Sequence, residues 1–528
     1  MKINKYKLLI FLSFLLLFFK AYYIYLYFQN NSIPVYDSVI YEKNQILRYL
    51  SFKQNYSFIE RYNQIIYEFT GNHVSSIFNI ICILINPKLL INDIDIFARG
   101  IFAVIILFLS IHTYLNKDFK NSALILLTIS ALPTLFHFRF GIFTYIPDLI
   151  SGLFLLSAYF YSLTYLTIKK IRLLLYAIIL IFLAIGFRFN FFVFSAIVFA
   201  PICVILIKNI INEKAYKSNK VLILIITLIT LGLIYYVFYH FNAFMDYYGR
   251  DAKYAEISLY SSLKSFYEYI MTELNILFIL SLLLINSILN NFFYNSSTKT
   301  NNVLLIYPFI ALSFFLIIYM NATNQPHVFS ALFLFLIPIA FLKNNFLKFK
   351  NIDHKKYIIV GIIVINLIIN FFCFEYKFNF IKKNETEYSG ILLADKIDKI
   401  TNFKSEKKYF LLIESALEIP LDVYFFKKHK KLSENKLKYY YTDFEYYSID
   451  KNLNYNKILK HYISEIQKTK PELIIMNHKK LALGKDKKLG NKINNALRNY
   501  IQKTKNYRYN SCMNYKNQKI LFYVLNKN

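Results

Sequence analysis

The chain has 528 residues, 56% of them hydrophobic and 19% aromatic, and a formal net charge of +31. The apolar residues are gathered in long runs divided by short polar stretches, which excludes an ordinary soluble chain, where they recur at a period of two or about 3.6. The charge does not make a nucleic-acid partner: the lysines lie mainly between apolar runs and in the C-terminal part, with no nucleic-acid motif around them.

Since about 20 apolar residues cross a hydrocarbon core as a helix, the runs predict a polytopic α-helical membrane protein. Met1–Lys7 is basic and residues 8–28 are apolar, but no small-residue cleavage site follows, so this is expected to be an uncleaved first span. Ten further candidates follow: 99–115, 121–138, 149–168, 173–187, 191–207, 221–241, 271–290, 303–320, 328–342 and 358–374. Alternate loops are basic, with Lys2, Lys5 and Lys7, then Lys117 and Lys120, then Lys169, Lys170 and Arg172, then Lys208 to Lys220, then Lys343 to Lys356. The positive-inside rule makes these loops and the N-terminus cytoplasmic.

The opposite loops are expected outside, beginning with residues 29–98, which mix Asp37, Glu42, Glu60 and Glu68 with basic residues. Within that stretch His73 to Leu90 is interrupted by Asn79 and Pro87 and reads as interfacial helices or a re-entrant pair. A true span there would invert everything downstream.

Residues 1–374 thus read as a membrane bundle, and 375–528 as a soluble, extracytoplasmic α/β domain. In the latter, Lys408 to Glu414, Leu473 to Asn477 and Ile520 to Leu525 read as short buried strands, with amphipathic helices over 388–401 and 488–503. About half of the net charge falls in this domain, which suits anionic lipid head groups or an anionic glycan, or else a lysine-rich solvated surface. Cys82, Cys203, Cys373 and Cys512 are too scattered for a disulfide framework or a zinc site.

Several ionisable residues have the chemistry of a site. Asp37, in Pro34-Val35-Tyr36-Asp37-Ser38-Val39-Ile40-Tyr41-Glu42, lies just beyond the outer end of the first span, where a carboxylate can face a lipid-borne substrate. A positioned carboxylate takes the proton from an acceptor hydroxyl or amine as it attacks an activated sugar. Glu42 and Asp148 are candidate second carboxylates, although capping of the fourth span is a sufficient reason for Asp148. Arg139 and Arg188, at outer turns, suit bidentate binding of a lipid phosphate, or else snorkel to the interface. His137, Arg99 and His327 fall at the same outer level, and Asp246, Arg250, Asp251 and Lys253 form another polar outer turn. Lys20, well inside the first span, demands a partner. No Gly-rich phosphate loop, zincin motif or nucleophile elbow occurs.

In order along the chain, these features resemble the GT-C class of membrane glycosyltransferases, in the branch of protein O-mannosyltransferases and lipid A aminoarabinose transferases. The resemblance rests on Asp37 and Tyr41 in a long first outer loop, Ala98-Arg99 at the next span, Arg139 and Asp148 approaching a later one, and Pro326-His327 then Pro338. It departs where the family's Asp-Glu pair is Asp37-Ser38, and Gly71-Asn72-His73-Val74 matches its Pro-rich segment poorly.

The resemblance implies inverting transfer of a sugar from a polyprenyl-phosphate donor to an outer lipid, glycan or protein acceptor, in a bacterial inner or plasma membrane. Asp37 would be the base, and Arg139, Arg188, Arg250 and Lys253 would stabilise the leaving phosphate. A divalent metal is compatible with the class, but no residue pattern specifies its ligands. An O-antigen-type polymerase or ligase is the rival enzyme; a lipid-linked-glycan transporter is the non-enzymatic rival.

Overall fold

The computed structural model describes residues 5–31, 85, 94–131, 148–187, 191–212, 304, 307–308, 311, 395–397, 399–400, 410–413, 439–441, 455–478, 487–515 and 518–526. The chain divides into two compact units, Met1–Leu26 with Asn55–Tyr376 and Tyr27–Gln54 with Lys377–Asn528. The expected spans 221–241, 271–290, 328–342 and 358–374, most of 303–320, and the segment 73–90 apart from Ile85 lie outside the described residues.

The helices described first along the chain are α1 (Lys5–Asn31), α2 (Ile94–Tyr114), α3 (Phe119–Ala131), α4 (Asp148–Ile168), α5 (Ile171–Phe187) and α6 (Phe191–Asn212). Among the described residues, Ile94–Tyr114 and Leu149–Ile168 are long and apolar enough to cross a membrane. Helix α4 is apolar all round, as a helix must be when other elements enclose it. It packs against α2, α5 and α6. Phe154 stacks with Phe187 of α5 at 5.6 Å between ring centroids, Phe102 of α2 lies 6.0 Å from Phe154, and Tyr159 meets Phe199 of α6 edge-on at 5.7 Å. The Tyr159 hydroxyl donates to the Leu304 carbonyl. Buried hydroxyls on α4 bond back to their own helix, Ser157 to the Leu153 carbonyl at 2.7 Å and Thr164 to that of Phe160 at 2.7 Å, so they add no unmet donor to the interior.

Among the described residues, two helices of this unit bury some polar side chains and leave large apolar ones exposed. Helix α1 buries Ser13, Leu17 and Ala21 and turns Phe11, Leu15 and Phe19 outward. Helix α2 buries Asp95, Arg99 and Ser110 and exposes Phe102 and Leu109.

The turn between α2 and α3 follows from three consecutive residues. Asn116 and Lys117 take positive φ of 55° and 62°, a conformation asparagine tolerates better than most residues. They close a Schellman motif in which the Lys117 N–H donates to the His112 carbonyl at 2.8 Å and the Asn116 N–H to that of Thr113 at 3.1 Å. Asp118 then starts α3, its Oδ1 accepting the N–H groups of Lys120 at 2.9 Å and Asn121 at 3.3 Å. Replacing Asp118 by Ala is expected to cost about 1 kcal/mol. Amide hydrogen exchange in the first turn of α3 would then speed up about fivefold.

The other unit contains β1 (Phe410–Ile413), β2 (Tyr439–Tyr441), α7 (Tyr455–Thr469), β3 (Leu473–Asn477), α8 (Lys487–Lys503), β4 (Tyr507–Tyr515) and β5 (Gln518–Leu525). The strands form one mixed sheet in the order β2-β1-β3-β5-β4. Strand β1 lies between β2 and β3 and is parallel to both, whereas β5 runs antiparallel to β3 and pairs with β4 as a hairpin. Parallel strands need a crossover rather than a tight turn, and α7 lies in the connection from β2 to β3.

Strand β3 is buried on both sides, so it is a continuous apolar run instead of an alternating one. Helices α7 and α8 cover one face, joining Ile458, Tyr462, Ile493 and Leu497 to Ile474, Met476 and Leu521 of the sheet. Asp395–Ile397 and Lys399–Ile400 are helical, with Ile397 fully buried.

Tyr507 of β4 belongs to the same core, and its buried hydroxyl makes no hydrogen bond among the described residues. Tyr507→Phe removes that unmet group without leaving a cavity and is expected to stabilise the sheet by about 1 kcal/mol. Burial, reinforced by Tyr500, pushes the Tyr507 phenol above its ordinary range. Below about pH 10 the phenol is neutral whether the sheet is folded or not, so its contribution is undiminished. It falls as the pH climbs from there towards the higher folded value, and the Phe variant should lose that part of the alkaline slope. Hydrogen exchange of the β4 amides as a function of pH measures both effects.

Candidate functional site

Of the residues that the sequence singles out, Arg99, Asp148 and Lys20 fall within the described part of the chain. Asp37, Tyr41, Glu42, His137, Arg139, Arg188, Arg250, Lys253 and His327 lie outside it.

Arg99 sits in the second turn of α2 and is 2% exposed. A guanidinium carries its charge at any accessible pH, so burying it in an apolar helix is costly without compensation. The nearest carboxylate in sequence at helical spacing is Asp95, four residues earlier and 0% exposed. Residues i and i+4 lie on one helix face, and an acid preceding a base is the favourable order. Asp95 also lies in the first turn of α2, where the positive end of the helix dipole favours a carboxylate. Two buried residues of opposite charge thus lie one turn apart at one end of a helix that is otherwise apolar. Sequence reading picked out Arg99 and passed over Asp95. The signal was present in the Asp-x-x-x-Arg spacing, but Asp95 was read as part of a polar outer loop that ends just before the apolar run.

Lys20 finds its partner on α3. Its ammonium donates to the Ser130 carbonyl at 2.9 Å, while Ser130 Oγ donates to the Ser13 carbonyl of α1 at 3.3 Å. This contact places a cation on a backbone carbonyl, which is one way an ionisable residue within an apolar helix can be satisfied. Lys20 thus has a structural role joining α1 to α3.

Asp148 is the first residue of α4, directly after Pro147. In the other unit, Asn477 and His478 lie at the carboxyl end of β3. The His478 N–H donates to the Lys519 carbonyl at 2.7 Å, and its own carbonyl accepts from Arg498 of α8 at 3.3 Å. This set closes the end of the sheet. Among the described residues no group of three or more His, Cys, Asp or Glu side chains could hold a metal ion.

No protein-family model and no curated protein matches the chain.

Proposed function

We propose that this protein is a membrane glycosyltransferase of GT-C type that moves a sugar from a polyprenyl-phosphate donor to an extracytoplasmic acceptor. The observation that carries the proposal is the burial of Asp95 and Arg99, one turn apart on α2, in a unit whose described helices leave large apolar side chains exposed. Lipid favours small and polar residues between helices and apolar ones outside, and an ionisable pair kept inside such a unit is by default a functional feature.

On the topology expected from loop charge, the Arg99 guanidinium would sit at the outer end of α2, at the level of a lipid phosphate, and is suited to the charge that develops as the phosphate leaves. Asp37 takes the acceptor proton. The attacking oxygen or nitrogen forms its bond to the anomeric carbon from the side opposite the phosphate, which departs with the bonding pair, so configuration inverts. In this reading the N-terminus is cytoplasmic and the C-terminal domain extracytoplasmic, and the acceptor is a lipid, glycan or protein.

The deciding experiment compares two preparations of the purified protein. In detergent with a polyprenyl-phosphate sugar, the proposal requires transfer to an acceptor or release of sugar. In sealed vesicles, movement of the lipid-linked sugar without transfer would replace the enzyme by a transporter.

A further inference from the structure

We propose that the outer faces of α7 and α8 together form a docking surface for the anionic headgroups of the bilayer that carries the apolar helices. The inference rests on the membrane reading above but not on the sugar chemistry.

In both helices the side chains divide sharply. Ile458, Tyr462 and Ile466 of α7 and Ile493, Leu497 and Ile501 of α8 are buried against the sheet. At 100° per residue, Lys457, Lys460 and Lys468 fall opposite the first set, and Lys492 and Lys503 opposite the second; all five are exposed. Glu465 is the single carboxylate in the two helices. No carboxylate is exposed among the described residues of this unit.

The helices present one surface rather than two. Gln467 Nε2 donates to the Tyr500 hydroxyl at 3.1 Å, and the Lys492 ammonium lies over the Tyr455 ring, 4.6 Å from its centroid. Lysines on adjacent outward faces, with no exposed acid among the described residues, sum their attraction to a charged sheet of headgroups, since each works as a flexible point charge without directional needs.

The composition favours lipid over nucleic acid. Among the described residues of α7 and α8 the exposed cations are lysines and not the arginines that fork onto phosphates, and no aromatic ring is exposed to offer a base a stacking platform. Covalent linkage to the apolar helices would also keep the domain at a high effective concentration near the bilayer.

The chain contains no tryptophan, so one introduced at Asn499, an exposed position of α8 between Lys492 and Lys503, is a unique reporter. The full-length Asn499→Trp protein is reconstituted into phosphatidylcholine vesicles with a dansyl-headgroup lipid, with or without ~30% phosphatidylglycerol. Energy transfer from tryptophan to dansyl is expected to be about twofold greater with phosphatidylglycerol at about 50 mM salt, and to fall to the neutral-vesicle level at about 1 M. Changing Lys457, Lys460, Lys468, Lys492 and Lys503 to Gln should abolish the increment while sugar transfer in detergent is retained. An unchanged circular dichroism spectrum establishes that the variant is folded; if it is not, the single Lys→Gln variants are read in its place, each expected to lose part of the increment. Equal transfer in both vesicle types, or an increment the Gln variants keep in full, overturns the proposal. A signal independent of vesicle charge but changed by a single-stranded oligonucleotide overturns it in favour of a nucleic-acid surface. Absence of sugar transfer by the unsubstituted protein, with the lipid response present, would refute the enzyme reading alone.

Discussion

Asp37→Asn is expected to lower sugar transfer by about a hundredfold to ten-thousandfold, the range that a positioned general base contributes. The substitution keeps the size and planarity of the side chain and removes its ability to hold a proton, so insertion and folding should be unaffected. Turnover with a polyprenyl-phosphate sugar, normalised to the amount of inserted protein, is the measurement. The loss should appear in kcat at saturating donor, because in the proposed reaction the carboxylate acts on the acceptor proton and not on the donor lipid. Glu42→Gln, measured alongside, separates the two carboxylates of the loop: a larger loss there than in Asp37→Asn would transfer the role of base to Glu42. Full activity of Asp37→Asn would remove Asp37 from the reaction.

Removal of one member of the Asp95–Arg99 pair has a different signature, because it acts on stability as well as on chemistry. Arg99→Met leaves the Asp95 charge buried, at 0% exposure, with its nearest helical neighbour of opposite sign gone. Deleting one partner of a buried pair typically costs about 3–5 kcal/mol, whereas replacing both by uncharged residues of similar volume is close to neutral. Thermal unfolding in detergent should therefore find Arg99→Met much less stable than the native protein. Asp95→Asn combined with Arg99→Met should recover most of the difference. Arg99 also has the proposed role at the donor phosphate, so the double variant should regain stability without regaining transfer. If transfer returns with stability, Arg99 is a structural residue only; if Arg99→Met is as stable as the native chain, the pair is not coupled.

Helix positions were largely legible along the chain, for a physical reason. A run such as residues 149–168 has so few polar side chains that its backbone must satisfy its own hydrogen bonds, and α4 occupies Asp148–Ile168. Apolar runs at 99–115 and 191–207 overlap α2 and α6 in the same way, although both helices extend beyond the apolar stretch: α2 begins at Ile94 and so takes in Asp95, and α6 ends at Asn212. Hydrophobicity marks where a helix is greasy and not where its hydrogen bonds begin, which is why Asp95 was assigned to a loop.

The strands divide along similar lines. Phe410–Ile413, Leu473–Asn477 and Gln518–Leu525 stand out as apolar segments because they lie inside the sheet with neighbours on both sides. Strands β2 (Tyr439–Tyr441) and β4 (Tyr507–Tyr515) occupy the two edges, and they were not read as strands. An edge strand packs less and so carries a weaker apolar pattern. Tyr507 and Tyr509 alternate with Arg508 and Asn510, a composition that a tyrosine-rich loop would share. Helix α7 was also missed, since three lysines on its outer face dilute its hydrophobicity and only the spacing of Ile458, Tyr462 and Ile466 reveals it.

Composition and local spacing thus carried the greasy helices, the central strands and the basic excess, because each depends on residues close together in the chain. The partner of Lys20, the burial of Asp95 and Arg99, the order of the sheet and the packing of α7 beside α8 all depend on tertiary structure. Lys20 meets a carbonyl 110 residues away, and a backbone acceptor has no signature in its side chain. Burial turns an ordinary Asp-x-x-x-Arg spacing into a costly charge pair, and burial is a property of everything packed around a residue, which its own sequence neighbourhood does not specify.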